Sequence, residues 1–340
     1  MIRIAVALVA LFLFVPMAQA ASFDCAKAST SFEKAICAHP ELSSADELLA
    51  KAYATAIGGL STAALDSVKA DQHAWLGYAA HSCSDDAQPI PGDYTDDQAS
   101  CLRSVIESRI TDLEASRMQG SYRFYPVQRY LVEKDEEAEP DAYTKTASKQ
   151  FSTVKIDATD DLAKAFNAMT EAMRLQATDL FKKGTDQIDI GDTTTDVVIT
   201  TTVTSVNDYR ISLATDNYWF GHGAAHGNYG VTYAHFLVKE LRPLYASDIF
   251  SGKNWKETLG KLVAENLKSQ LEDGMWNDAE SDVIEHAADP SRWDFSREGL
   301  IVQFQPYEVT AYAAGAPTAV IPWDKLNDIL SSGGEAIATY

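Results

Sequence analysis

The chain has 340 residues, of which 46% are hydrophobic, and its 28 basic and 49 acidic side chains give a formal charge of -21. A field of that sign repels nucleic acid and anionic lipid and draws in cationic partners, so nucleic-acid binding is excluded and no basic membrane-surface role is expected. At roughly 150 residues per domain, the length fits about two domains.

The sequence opens with Met1 and Arg3, an apolar run from Ile4 to Val15, and small residues at Ala18 and Ala20. A charged start, a short apolar stretch and a small-residue cleavage site are the pattern of a signal peptide cut after Ala20. No cysteine stands at the cleavage point, so no lipid anchor is expected, and no later run approaches the roughly 18 apolar residues of a membrane span. The expected organisation is a signal peptide at 1–20, a first domain at 21–119 and a second at 120–340, in a soluble protein of the periplasm or the cell exterior.

Cys25, Cys37, Cys83 and Cys101 all fall in the first domain. An even, clustered set in an oxidising compartment reads as two disulfides. Zinc is the rival, but it asks for close pairs such as C-x-x-C, which are absent. Three connectivities remain open.

The first domain reads as all-helical. Thr30 and Glu33 have capping-box spacing ahead of a helix with Ile36 and Cys37, which Pro40 interrupts. From Ser43, the residues Ala45, Leu48, Leu49, Ala52, Tyr53, Ala56 and Ile57 keep the spacing of one helical face up to Gly58-Gly59. Leu65, Val68, Gln72, Trp75, Leu76 and Ala79 mark the next helix, with Trp75 read as buried beside a hydrogen-bonded Gln72. A loop rich in Asp, Pro and Gly runs from Ser84 to Asp97. Leu102, Val105, Ile106, Ile110 and Leu113 mark a further helix. Short turns imply antiparallel packing, and two bridges suit so small a core.

Around Met118 to Gly120 the texture turns to β-branched and aromatic residues. Strands are expected at Tyr122–Val132, Phe151–Ile156, Asp196–Val206, Tyr209–Trp219, Tyr229–Val238, Gly299–Gln305 and Thr318–Ile321, with a hairpin at Asn207-Asp208. Helices are expected around Leu162–Leu180, Trp255–Leu271 and Trp323–Leu330. The acidic segment Glu133 to Asp141 reads as a solvated loop. The fold class expected is a multidomain chain, with an N-terminal all-α disulfide-stapled domain and a C-terminal α+β domain whose sheet is mostly antiparallel.

No G-x-S-x-G, H-E-x-x-H, Walker loop or dinucleotide fingerprint occurs, so neither catalytic residues nor a cofactor are expected. The most suggestive segment is Gly221-His222-Gly223-Ala224-Ala225-His226-Gly227-Asn228, bracketed by Trp219 and Tyr229. Its histidines, with His235, offer a metal reading, but the loop contains no acidic general base. A tight Gly/Ala loop that presents aromatic and histidine side chains to a partner is preferred.

Two family resemblances follow. Glu33-x-x-Ile36-Cys37, Pro40-Glu41-Leu42, Gln72-x-x-Trp75-Leu76, Cys83, Cys101-Leu102 and Arg109-Ile110-x-x-Leu113 resemble the LprI-like family over residues 22–117. A departure is Gly77-Tyr78-Ala79-Ala80, where relatives commonly carry an Arg-Asp pair. Gly223-Ala-Ala-His226-Gly-Asn228, Asp248-Ile-Phe250, Gln305-Pro-Tyr307-Glu308 and Ala311-Tyr312-Ala-Ala-Gly315-Ala-Pro317 resemble the RsiV-like family over most of 121–335. There Gly227 replaces the usual proline.

The first resemblance implies a lysozyme inhibitor, and the second a domain that senses lysozyme by binding it and also accompanies some peptidoglycan deacetylases. Neither membrane signalling nor deacetylation carries over, for want of a membrane helix and a catalytic domain. The implied partner is a basic lysozyme of the c-type, with peptidoglycan as the alternative. The contact residues expected on loop position and chemistry are Tyr218, Trp219, His222, His226 and Tyr229.

Overall fold

The computed structural model of the protein describes residues 21–180, 193–271, 274–276 and 280–338. The expected signal peptide lies outside the described residues.

Four helices form the first module. α1 (Ser31–Ala38) starts on the expected capping box, in which Thr30 Oγ1 accepts from the Glu33 amide and the Glu33 carboxylate accepts from the Thr30 amide. α2 (Pro40–Ile57) begins at Pro40 rather than Ser43. Proline is suited to a first helical turn because the N–H it lacks would have had no intrahelical partner there. α3 (Thr62–His81) is capped by Ser61, and α4 (Asp96–Glu114) by a second capping box of Thr95 with Gln98. Their apolar faces bury Ile36, Leu42, Leu49, Val68, Trp75, Leu102, Ile106 and Leu113.

Two disulfides join Cys25 to Cys37 and Cys83 to Cys101, one of the three open connectivities. Each closes a local segment. The first ties the chain ahead of α1 to that helix, and the second ties the segment after α3 to α4.

A seven-stranded sheet follows. Its strands are β1 (Met118–Gln119), β2 (Tyr122–Lys134), β3 (Thr146–Ile156), β4 (Thr195–Val206), β5 (Arg210–Gly221), β6 (Asn228–Leu237) and β7 (Arg242–Pro243), side by side in chain order. All neighbours are antiparallel except β3 and β4, which run parallel because α5 (Asp161–Leu180) intervenes as a crossover. The β4–β5 turn falls at Asn207-Asp208, where Asn207 Oδ1 accepts from the amides of Tyr209 and Arg210.

The C-terminal part adds α6 (Ala246–Ile249), α7 (Trp255–Leu271) and α8 (Glu280–Ala287). A three-stranded antiparallel sheet of β8 (Trp293–Phe295), β9 (Gly299–Gln303) and β10 (Thr318–Pro322) comes next, before α9 (Trp323–Leu326) and α10 (Gly334–Ala338). Leu259, Val263, Trp293, Val302, Phe304 and Ile321 are buried in its core. The last expected helix stops at Leu326 and gives way to a 3-10 turn at Asn327–Ile329.

The helical module is docked on β2 and β3 through buried polar contacts. Asp71 accepts from the Gln128 amide at 2.8 Å, and the Tyr78 and Ser148 hydroxyls lie 2.5 Å apart. Arg109, almost fully buried, donates to Gln72 Oε1 at 3.0 Å and to the Tyr130 hydroxyl at 2.9 Å. Tyr125, Tyr130 and Val132 of β2 pack against the helical core. Buried polar groups are tolerable only when bonded, so these partners fix how the helices sit on the sheet.

Strand register collects several loops at one end of the sheet. Lys134 pairs with Thr146, Lys149 with Val197, Thr195 with Gly221, and Trp219 with Asn228. The 135–145 loop, the start of β4 and the 221–228 loop therefore share that end.

Candidate interaction site

The expected contact residues sit on and beside the β5–β6 connection, but they divide in role. Register places Tyr218 directly opposite Tyr229, and Tyr218 is 43% exposed. Trp219 is partly buried and packs against the buried Phe151 and Val197, so part of its ring serves the sheet rather than the surface.

His222 is turned inward. Its side chain is only 8% exposed, and Nδ1 donates to Asp135 Oδ2 at 2.5 Å while Nε2 stands 3.6 Å from Asp196 Oδ2. The 221–228 loop was expected to present both histidines outward, and Asp135 was expected in a solvated loop. The two side chains bury each other instead, since a buried polar group needs a partner. Burial also raises the Asp196 carboxyl above its ordinary range, against the pull of the Ser148 amide and His222.

His226 is the exposed histidine of the loop. Its ring stacks on Tyr312 with centroids 4.1 Å apart and planes 22° apart, and the Tyr312 hydroxyl donates to the Gly227 carbonyl at 2.8 Å. Tyr229 meets Tyr312 edge-on at 6.2 Å, and Tyr307 lies 5.3 Å from it. Tyr307 is 48% exposed and holds a backbone φ of 70°, an uncommon conformation for a bulky aromatic. The next residue pins that turn, for Glu308 takes a two-pronged ion pair from Arg292 at 2.8 and 2.7 Å and accepts the Gln305 amide at 2.6 Å.

An aromatic patch of Tyr218, His226, Tyr229, Tyr307 and Tyr312 results. Stacked and edge-on rings of this kind offer apolar area with a polar tip, the chemistry of interface anchors. Tyr307 and Tyr312 did not figure among the expected contacts, although both lie in segments that carry the RsiV-like resemblance. Only the fold brings the 304–317 segment against the 221–228 loop.

Gly227 accounts for the departure from proline. A β-carbon at that position would fall on the Tyr218 ring, so the glycine lets the ring lie against the backbone.

The three histidines of the metal reading are each engaged separately. His235 is buried, bonded to the Ser212 hydroxyl at 2.9 Å and the Trp293 carbonyl at 2.8 Å, and burial pushes its pKa down to about 3. His226 Nδ1 lies 2.8 Å from the Gly227 carbonyl. Among the described residues, no three His, Cys, Asp or Glu side chains come together as a metal-holding group. Nor, among them, is any helix long and apolar enough to cross a membrane.

Residues 25–113 match the family model described as Lysozyme inhibitor LprI, and residues 247–324 match that of the Protein of unknown function DUF3298. Among solved structures, a DUF3298 family member from Bacteroides fragilis aligns with a TM-score of 0.43 and 17% identity, covering 63% of this chain and 96% of that one. A DUF3298 family protein from Pseudomonas aeruginosa aligns with a TM-score of 0.43 and 15% identity, covering 63% and 97%. No curated protein matches the chain. The protein thus carries an LprI lysozyme inhibitor domain toward its N-terminal end and a DUF3298 domain, the RsiV-like unit, toward its C-terminal end.

Proposed function

We propose that the protein binds lysozyme and inhibits it, outside the cytoplasm and without catalysing a reaction of its own. The observation that carries this reading is an LprI domain on a strongly acidic chain. The two disulfides accord with an oxidising, extracytoplasmic compartment, periplasmic or secreted, and with removal of residues 1–20. We assign the first domain to 21–119 and the second to 120–340.

The partner is a basic lysozyme of the c-type. Its positive field and the negative field of this protein steer the encounter, which accelerates association at low ionic strength. Affinity then requires rings that seat in the enzyme's cleft and keep the glycan out. Tyr218, His226 and Tyr229, joined by Tyr307 and Tyr312, supply those rings, while His222 and Trp219 hold the loop from behind. The test is a binding titration of the full protein against immobilised c-type lysozyme over a salt series. A complex that weakens steeply with salt supports the reading, and no complex at low salt defeats it.

A further inference from the structure

Three surface features are linked through hydrogen-bonded and ion-paired segments. The first is an apolar groove of about 540 Å³ in the helical module, lined by Phe23, Phe32, Leu76, Ile90 and Tyr94. Leu76 is 45% exposed there and lends the groove an accessible apolar side chain. The second is the 135–145 loop, in which Tyr143 is fully exposed among the exposed acids Glu136, Glu137, Glu139 and Asp141. The third is the aromatic patch.

The connections between them run through neighbouring residues of each segment. The segment that lines the groove with Ile90 also carries Asp85, which pairs with Lys145 Nζ at 3.0 Å. The Asp135 amide bonds the Lys145 carbonyl at 2.8 Å, closing the 135–145 loop, and the Asp135 carboxylate holds His222 of the patch loop. The buried bonds of Arg109, Asp71 and Tyr78 to β2 and β3 fix the helical module against the same strands. Groove, acidic ridge and aromatic patch are therefore linked to one another through these bonded segments.

We propose that these three features form a single composite surface for one basic protein, with the groove taking an apolar side chain of the partner, the ridge its lysines and arginines, and the patch the contact beyond. The choice of lysozyme as the probe rests on the function proposed above. Apolar and aromatic footholds supply affinity, and the acidic ridge between them selects a cationic occupant and excludes anionic ones. Two modules fused in this way act as one site rather than as two tethered ones, for which a flexible linker would be needed.

The experiment uses the full chain, a basic c-type lysozyme and, as control, the equally cationic cytochrome c. Calorimetry gives stoichiometry and affinity for the wild type and for Leu76→Glu, Glu136→Lys with Glu137→Lys, and Tyr307→Ala. All these positions are exposed, and thermal unfolding of each variant verifies its fold. The expected result is a 1:1 complex with lysozyme that each of the three variants weakens by about 5- to 50-fold, as hot-spot losses do, with much weaker binding of cytochrome c. A 2:1 complex, or unchanged affinity in Leu76→Glu, overturns the composite surface while leaving lysozyme binding intact. Equal affinity for cytochrome c reduces the surface to a general polyanion and also overturns it. Absence of any lysozyme complex overturns both this inference and the function on which it rests.

Discussion

His226 and Tyr312 stack ring on ring at 4.1 Å, and the same tyrosine reaches the Gly227 carbonyl across a sequence separation of 85 residues. Tyr312 therefore does two jobs in the patch, offering a ring face and fixing the loop beside it. Replacing Tyr312 by Ala is expected to weaken lysozyme binding by about 10- to 100-fold, the range of an aromatic anchor. Phe at 312 keeps the stack but loses the bond to Gly227, so its effect should be smaller. Calorimetric titration of both variants measures the difference, and equal affinities for all three proteins would remove Tyr312 from the site.

Gly227 gives a second prediction. Because a side chain there would meet the Tyr218 ring, Gly227→Ala should displace that ring without unfolding the protein, since Tyr218 is exposed and free to swing. Binding is expected to fall by several-fold, with a change of about 1 kcal/mol or less in stability, as is usual for a surface substitution. A crystal structure of the variant shows whether the ring has moved.

The disulfides should matter unequally. The bonded cysteines stand 18 residues apart in the Cys83–Cys101 bridge and 12 apart in Cys25–Cys37. Chain-entropy arguments give about 3 kcal/mol for loops of this size, slightly more for the longer one. Paired Cys→Ser replacements, followed by urea unfolding, test this. The Cys25–Cys37 bridge also holds the segment that brings Phe23 and Phe32 to the groove, so its loss should weaken binding beyond its effect on stability.

A pH dependence follows from Asp112. Burial pushes its carboxyl up to about 6, against the opposing pull of Arg109 and of bonds from Gln128 and Tyr130. A carboxyl whose pKa is higher folded than unfolded binds more protons in the folded state between the two values. Stability from this group is then present at acidic pH and is lost as pH rises from about 4 to about 6. Asp112→Asn lacks that loss. The stability of the variant relative to wild type should rise by about 1–2 kcal/mol between pH 4 and 7, measured by urea unfolding at each pH. A flat difference across that range contradicts the assignment.

Much of the architecture was legible from periodicity and capping. Thr30 with Glu33 marks the start of α1, Gly58-Gly59 the end of α2, and Asn207-Asp208 the β4–β5 turn, because each works through bonds made within a few residues. The parallel pairing of β3 with β4 was not legible, since the crossover that imposes it is a matter of chain path. α8 and the three-residue β8 are too short to show a period. At the site, Tyr218, His226 and Tyr229 were selected from loop position and the structure groups them. The inward turn of His222 depends on Asp135, and the patch depends on Tyr307 and Tyr312. Those partners are distant in the chain, and no local pattern in the 221–228 loop announces them.

The most direct measurement is the residual wall-clearing activity of a fixed amount of basic c-type lysozyme titrated with the full protein at low salt. The account predicts a fall to near zero as one equivalent is approached, with the titration shifting to higher concentrations as salt is added. Undiminished clearing at a several-fold molar excess would contradict it.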